Sequence, residues 1–174
     1  MSKETPPLGF FFAGFRYDAP IDRLISIFKT QGQLSHGKVL SELLARYWLG
    51  TVPTLPDMFV PVPLHKSRLR QRGFNQALEI AYVLSDHTGL PCRPRICRRV
   101  RDTPSQKQLS RRKRLSNLAD AFQVETLTQT PHVMIVDDVV TTGATISALA
   151  ESLLNAGAGQ VDVIAIARSS RRQS

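Results

Sequence analysis

Apolar residues recur at helical spacing in two stretches near the start of the chain. They are Ile21, Leu24, Ile25 and Phe28 in the first stretch, and Val39, Leu40, Leu43, Leu44 and Tyr47 in the second. Each pattern predicts an amphipathic helix with one face against a core. Tyr47 and Trp48 lie at helical spacing with Leu44, which predicts that both aromatic side chains are packing residues.

Prolines at positions 53, 56, 61 and 63 end the helical pattern, and Met58–Leu64 predicts a short strand. A third helix is predicted from Asn75 to His87, followed by Gly89. Its expected inward residues are Leu78, Ala81 and Leu84. Cys92–Cys97 predicts another strand, which is weakened by Pro94 because proline cannot donate to a sheet.

The clearest pattern begins at His132. The apolar runs His132–Val136 and Val161–Ala167 each predict a buried strand, and a helical stripe ended by Gly157 lies between them. The stripe consists of Ile146, Leu149, Ala150, Leu153 and Leu154. Strand, helix and strand in this succession form a βαβ unit, so the sequence predicts a parallel sheet and an α/β fold.

Length and composition indicate one ordinary globular domain. The 174 residues have a mass of 19.4 kDa and are 42% apolar and 21% charged, which excludes wholesale disorder. No stretch is long and apolar enough to cross a bilayer, and the run Leu8–Gly14 is too short for a secretory signal. We therefore expect a cytoplasmic protein. Cys92 and Cys97 make neither a disulfide framework nor a good zinc site, so both are expected to be thiols in or near the core.

Two adjacent carboxylates, Asp137 and Asp138, follow the first strand of the βαβ unit. Burying a charge without a partner is costly, and two neighbouring carboxylates also repel. We expect the pair to face a cleft at the carboxyl end of the strand, where open α/β sheets bind ligands. Sugar hydroxyls, a metal ion and arginines from elsewhere in the chain are alternative partners. Carboxylates locked into internal ion pairs would argue against a ligand site.

The small residues after the acids predict a phosphate site. They are Thr141, Thr142, Gly143, Ala144 and Thr145. Small side chains leave backbone N–H groups accessible, glycine tolerates unusual dihedrals, and the hydroxyls add donors. Because the loop opens a helix, free N–H groups and the positive end of the helix dipole point into it. A plain βα loop with a threonine cap is the alternative for these residues taken alone.

The segment VMIVDDVVTTGAT, Val133 to Thr145, resembles the phosphoribosyl-pyrophosphate (PRPP) signature of type I phosphoribosyltransferases. The resemblance implies a Rossmann-like parallel sheet flanked by helices, with a small hood. It also implies that Asp137 and Asp138 are catalytic and hold the ribose 2′- and 3′-hydroxyls. The 5′-phosphate would then lie in the loop from Thr141 to Thr145.

Two further segments are similar to the ComF/GntX group, which is linked to DNA uptake or DNA utilisation in bacteria. They are VPVPLHKSRLRQRGFNQA (Val60–Ala77), and Q-x-x-L-S with R-x-x-N-x-x-x-A-F (Gln106–Ser110 and Arg114–Phe122). The similarity runs from about Tyr17 to Arg168. Members of this group usually begin with a cysteine-rich zinc-ribbon module, which this sequence lacks. A naturally short form and a truncated reading frame are the two explanations.

The resemblance also implies a pyrophosphate loop at Pro61–Lys66, with His65, Lys66 and Arg72 as binding residues. A proline-rich strand end with a solvated Lys66 is the alternative. We expect His65 to make a local hydrogen bond or an anion contact rather than to act as a general base. Asn75 and Gln76 open a helix, and capping is the expected role for them.

The net charge of +9 is concentrated in one segment. Between Arg93 and Arg114 there are ten basic residues and one acidic residue, so this segment carries the whole excess. As a lid, it would close Lys107, Arg111 and Arg112 over PRPP, as flexible loops do in related transferases. As a nucleic-acid surface it would bind phosphates, although it has no aromatic residue for base stacking. A solvated basic face is the third interpretation.

The resemblance therefore implies transfer of phosphoribosyl from PRPP to an unknown nitrogen acceptor with release of pyrophosphate, with Mg²⁺ carried mainly by PRPP. The alternatives are a PRPP- or nucleotide-binding protein without turnover, and an accessory protein that grips single-stranded DNA or DNA-uptake proteins. Three segments are expected: residues 1–51 as a helical hood packed on the core, 52–168 as the phosphoribosyltransferase-like core, and 169–174 as a disordered tail. The sequence names neither the acceptor nor the oligomeric state.

Overall fold

A sheet of four parallel strands is the centre of the computed structural model, which describes residues 8–52, 54–101 and 121–169. Its strands are β1 (Phe11–Arg16), β2 (Met58–Pro61), β5 (His132–Val140) and β6 (Gln160–Arg168). The order across the sheet is β1-β6-β5-β2. The short strands β3 (Cys97–Arg99) and β4 (Phe122–Val124) form a separate antiparallel pair.

Helices cover both faces of the sheet, which confirms the predicted α/β fold. They are α1 (Ile21–Gln31), α2 (Leu34–Leu49), α3 (Lys66–Arg72), α4 (Gln76–Thr88) and α5 (Ala144–Asn155). Helices α1, α2 and α4 pack on one face, and α5 packs on the other with the β3–β4 pair. Helix α5 joins β5 to β6, so the predicted βαβ unit is present. None of the helices in the described residues is long and apolar enough to span a membrane.

The side chains of β5 alternate between the two cores. Val133 and Ile135 pack with α5, whereas Met134 and Val136 pack with α1, α2 and α4. This alternation follows from the two-residue period of a strand, and all four side chains are fully buried. Two helix-covered faces therefore explain why Val133–Val136 contains no polar residue.

Three strands of the structure differ from the sequence analysis. β1 is not predicted by the sequence patterns, yet it pairs in parallel with β6 at the edge of the sheet. β5 extends beyond Val136 to Val140, because Val139 and Val140 still pair with β6. The prediction of a strand at Cys92–Cys97 is wrong: Cys92 makes an isolated bridge to β2, and β3 begins only at Cys97.

Two expectations about helix faces are also corrected. Trp48 is fully buried, but Tyr47 is 60% exposed and packs against the Phe12 ring with ring centroids 5.5 Å apart. In α4, Ile80 is fully buried and Leu78 only partly so, because the buried stripe runs through Ala77, Ile80, Ala81 and Leu84.

The predicted division at residues 51 and 52 remains a prediction. β1 and the first two helices precede that boundary, and β1 is a strand of the central sheet. Of the predicted tail, Ser169 donates its N–H to the carbonyl of Val140 at 3.0 Å. Residues 170–174 lie outside the described residues.

Candidate ligand site at the carboxyl edge of the sheet

The carboxyl ends of β2 and β5 meet at one edge of the sheet and bring three segments of the predicted site to that edge. Val60 pairs with Ile135 and Pro61 with Val136, and Val62 donates its N–H to the Val136 carbonyl at 2.9 Å. The acid pair lies near the carboxyl end of β5 and the loop into α5 follows that strand, while α3 and α4 follow β2. Parallel strands place such connections side by side, which is the usual ligand position in open α/β sheets.

The two carboxylates stand on adjacent residues of β5 and each makes a local hydrogen bond. Asp137 Oδ1 accepts the N–H of Asp138 at 2.9 Å, and Asp138 Oδ1 accepts the N–H of Val139 at 2.7 Å. Asp138 is buried, whereas Asp137 is partly buried. Asp138 faces α1, because its carboxylate contacts Lys29 of that helix. Beyond the acid pair the alternation of β5 is reversed, since Val139 packs with α1, α2 and α4 whereas Val140 packs with α5.

Asp138 forms an ion pair with Lys29, a residue in the last turn of α1. Lys29 Nζ lies 2.7 Å from Asp138 Oδ2, and the two side chains are 23% and 11% exposed. The partner is thus a lysine, not one of the expected sugar, metal or arginine partners. Within the described residues Asp137 has no ion pair. One of the two carboxylates is therefore paired internally and the other is not.

Burial raises the pKa of Asp137 well above its usual range, and the neighbouring carboxylate of Asp138 raises it further. The N–H of Asp138 and the charge of Lys29 act in the opposite direction and offset only part of this effect. The Asp137 carboxyl therefore holds its proton to a higher pH than an exposed aspartate does. Such a displaced titration is typical of functional sites, although structural groups also show it.

The loop after β5 is open at the start of α5. Thr141 and Thr142 are exposed, and Gly143 has a φ of 74° immediately before the helix begins at Ala144. Gly143 provides no side-chain cap, and the Ala144 N–H has only a long contact of 3.5 Å to Thr142 Oγ1. Thr145 is partly buried in the first turn. This geometry leaves the first turn of α5 suited to an anion.

The predicted pyrophosphate residues lie at the start and the end of α3. His65 is the N-cap, and its Nδ1 accepts the N–H of Ser67 at 3.3 Å, which is the local hydrogen bond expected for it. Lys66 is exposed in the first turn. Arg72 is partly buried and donates from its guanidinium to Gln76 Oε1 at 3.0 Å. Their contact with pyrophosphate stays a prediction.

Asn75 caps α4, as expected, and also fixes the position of that helix. Its Oδ1 accepts the N–H of Ala77 at 3.1 Å, while its Nδ2 donates to the Val62 carbonyl at the same distance. Gln76 does not act as the cap: it is 2% exposed, and Arg72 holds its Oε1. Its buried Nε2 has no hydrogen-bond partner in the described part of the chain.

Lys29 is the site residue that the sequence patterns missed. A signal was present, because Lys29 follows the fully buried Ile25 by four residues and so lies on the inward face of α1. The predicted lid residues Lys107, Arg111 and Arg112 lie outside the described residues. The described residues on either side of positions 102–120 are held together by the pairing of β3 with β4. Next to this pair, Val100 donates its N–H to the Ala121 carbonyl at 2.9 Å.

Residues 70–174 match the phosphoribosyl transferase domain family. The solved structure of an adenine phosphoribosyltransferase from Thermoanaerobacter pseudethanolicus is similar in fold, with a TM-score of 0.50 and 15% identity, over 79% of this chain and 83% of that one. The sheet order, the helices on both faces and this match define a type I phosphoribosyltransferase-like α/β protein.

Sequence relatives specify the family within this class. The chain is 35% identical over 171 residues to the DNA utilization protein YhgH of Salmonella typhi, covering 96% of this chain and 75% of that protein. It is 34% identical over 160 residues to competence protein F of Haemophilus influenzae, with 88% and 70% covered. The chain belongs to the ComF/GntX family, as its resemblance implied.

Proposed function

We propose that the protein binds PRPP at the carboxyl edge of the sheet and transfers its phosphoribosyl group to a nitrogen acceptor. The observation that carries the proposal is the position of the acid pair near the end of β5, the strand whose loop leads into α5. That helix begins after Gly143 and has no side-chain cap. A phosphate on the first turn of α5 would lie beside carboxylates able to accept from sugar hydroxyls. Membership in the phosphoribosyl transferase domain family supports the same ligand.

In this proposal each part of the site has one role. The backbone and hydroxyls of Thr141–Thr145 hold the 5′-phosphate, and Asp137 and Asp138 accept hydrogen bonds from the ribose hydroxyls. The raised pKa of Asp137 is compatible with this role because its carboxyl, protonated or ionised, still offers an acceptor oxygen. His65, Lys66 and Arg72 lie on the connection from β2 and would neutralise the departing diphosphate.

The chemistry would be a substitution at C1 of the ribose. The bond from the acceptor nitrogen to C1 forms while the bond from C1 to the diphosphate oxygen breaks, and pyrophosphate leaves with that electron pair. Positive charge develops on the sugar and negative charge on the leaving group. The protein would contribute by holding both reactants and by fixed electrostatics, without a covalent intermediate.

In this proposal Mg²⁺ would arrive on the phosphate oxygens of the substrate. Among the described residues no cluster of three or more histidine, cysteine or acidic side chains could hold a metal. Asp138 is already paired with Lys29, and the raised pKa of Asp137 weakens it as a ligand for a bare ion. Mg²⁺ bound to PRPP would reduce the charge of the diphosphate group.

Calorimetric titration with Mg·PRPP tests the binding step. Asp137→Asn should lower the affinity by at least about tenfold, since it replaces one carboxyl oxygen beside the ribose hydroxyls by an NH₂ group that cannot accept a hydrogen bond. Asp86→Asn is the matched control, because Asp86 is exposed on α4, roughly 15 Å along the helix from Gln76. Wild-type protein that takes up no Mg·PRPP would refute the proposal.

Binding without turnover is distinguished by pyrophosphate release. Release that depends on an added purine, pyrimidine or other nitrogen base supports transfer, and the base that gives release identifies the acceptor class. Mg·PRPP binding with no base-dependent release across such a panel would instead support a protein that senses PRPP or a nucleotide. The site geometry is common to both functions, and fold alone does not separate them.

A second candidate is a role in handling single-stranded DNA or DNA-uptake proteins. Relatives are named for DNA utilization and competence, and Arg93, Arg95 and Arg98 are exposed beside the β3–β4 pair. Such binding predicts an affinity for oligonucleotides that falls steeply with salt and weakens when these arginines are changed to glutamine. It also predicts no effect of Asp137→Asn. Fluorescence anisotropy over a salt series measures both properties.

A further inference from the structure

Lys29 is a largely buried cation at the ligand edge of the sheet. Its ammonium is held 2.7 Å from Asp138, and 23% of its side chain is exposed. Burying two charges costs several kcal/mol per ion, and such pairs rarely make a fold more stable than apolar side chains of similar size would. The stability of the fold is therefore a weak explanation for a lysine at this position, and a ligand role is a stronger one.

The topology indicates which part of a bound phosphopentose would face Lys29. α5, whose first turn would hold the 5′-phosphate, packs on one face of the sheet, whereas α1 packs on the opposite face, where Lys29 contacts Asp138. A pentose whose 5′-phosphate lies at α5 and whose hydroxyls contact the acid pair therefore directs its C1 atom toward α1. Lys29 is the α1 residue that contacts Asp138 there.

A second contact brings further polar groups to the same side. Phe28, next to Lys29, packs against Phe74 with ring centroids 5.5 Å apart. Phe74 lies between Arg72 and Gln76, which hydrogen-bond to each other. The end of α1 is thus packed against the segment that carries a second cation and the buried, unpartnered Nε2 of Gln76. Cations and N–H donors suit a ligand rich in anionic oxygens.

We propose that Lys29 binds the diphosphate carried at C1 of the pentose while it keeps its ion pair with Asp138. An ammonium has three N–H donors, so contact with Asp138 leaves others for phosphate oxygens. The residue is a diphosphate-binding residue supplied by the N-terminal segment, in addition to those on the connection from β2. This inference rests on the proposed function, because it assumes a phosphopentose across the acid pair.

The test compares ligands with and without the diphosphate. Mg·PRPP, Mg·pyrophosphate and ribose 5-phosphate are titrated by calorimetry into wild type, Lys29→Met and Lys29→Arg, with displacement of PRPP as the readout for the weaker ligands. Lys29→Met should weaken Mg·PRPP about tenfold or more and change ribose 5-phosphate by less than about threefold. Lys29→Arg should recover most of the Mg·PRPP affinity because it keeps the charge. Lys38→Met is the control, since Lys38 is exposed on α2.

Each outcome has one meaning. Equal losses for Mg·PRPP and ribose 5-phosphate in Lys29→Met would overturn the proposal, because Lys29 would then act only by positioning Asp138. Unchanged Mg·PRPP affinity in that variant would also overturn it. Asp138→Asn should weaken the binding of both Mg·PRPP and ribose 5-phosphate, which separates the sugar contact from the diphosphate contact. Wild-type protein that binds neither Mg·PRPP nor ribose 5-phosphate would instead refute the proposed function itself. Circular dichroism and the urea midpoint show whether each variant is folded.

Discussion

His132 Nε2 lies 2.8 Å from Asp162 Oδ2, and this contact joins β5 to β6 at the amino edge of the sheet. Asp162 is 3% exposed, and its Oδ1 also accepts the N–H of Phe10 at 2.9 Å and an N–H of Gln160 at 3.1 Å. Its carboxylate oxygens are thus well provided with donors. At the amino ends of the strands, the sheet thus has a buried carboxylate with several hydrogen-bond donors. At the carboxyl ends it has the pair Asp137 and Asp138, whose oxygens can still accept hydrogen bonds.

Asp162→Ala should destabilise the fold and leave the ligand site unaffected. Removing the carboxylate leaves the N–H of Phe10 and the ring of His132 without their hydrogen-bond partner. The expected cost is about 3 kcal/mol in the free energy of unfolding. Urea denaturation measures this cost, with Asp86→Ala as the exposed control. Mg·PRPP affinity, measured below the unfolding range, should stay within about twofold of wild type. A large loss of affinity in folded protein would contradict the assignment of Asp162 as structural.

Asp137→Asn should stabilise the folded protein at neutral pH. Since the pKa of Asp137 is raised in the folded state, that state binds more protons than the unfolded state between the ordinary aspartate pKa of about 3.9 and the raised value. The wild-type free energy of unfolding therefore loses this contribution as the pH rises through that window. Asparagine does not ionise, so its gain should be small at pH 4 and larger at pH 7.

Urea denaturation of the ligand-free protein at several pH values checks this prediction. Asp86→Asn, with an exposed carboxyl, should show no such pH-dependent gain. A lower stability of Asp137→Asn at neutral pH would mean that the folded protein favours the ionised carboxylate. The combination of higher stability with lost Mg·PRPP binding is expected when a site maintains an unfavourable group for function.

Gly143→Ala should lower both the stability of the fold and the affinity for Mg·PRPP. A Cβ at Gly143 meets nothing within 4 Å, so the expected cost of about 1 kcal/mol comes from the positive φ alone. Gly89→Ala is a matched control, because Gly89 has a φ of 72°, equal open space, and a position after α4. Both variants should lose similar stability, but only Gly143→Ala should weaken Mg·PRPP. Equal affinities in the two variants would argue against a phosphate in the loop.

The two cysteines should be unreactive while the protein is folded. Burial raises the pKa of the Cys92 thiol to about 11 and that of Cys97 to about 12, so the reactive thiolate is scarce at pH 8. Mass spectrometry after iodoacetamide treatment should find both unmodified in native protein and both modified in urea. Rapid native labelling of Cys97 would show that the β3–β4 pair opens readily, because Cys97 lies in that pair.

The sequence allowed a correct prediction of the parts of the fold that depend on neighbouring residues. The βαβ unit follows from apolar periods between His132 and Ala167, and the phosphoribosyltransferase-like class was implied by the resemblance of Val133–Thr145 to a PRPP signature. These features are local, because strand period, helix period and loop chemistry each act over a few residues. The local hydrogen bond of His65 and the capping role of Asn75 were predictable for the same reason.

Only the tertiary structure decided which distant residues complete the site. Nothing in the pattern around Lys29 names Asp138 as its partner, since their contact depends on how α1 packs across the sheet. The same holds for β1, whose place beside β6 depends on pairing between the two ends of the chain, and for Tyr47, whose helical spacing matches that of buried residues although its side chain faces outward. Periodicity assigns a residue to a face of its own element, whereas the partner of that face is determined by the packing of the whole chain.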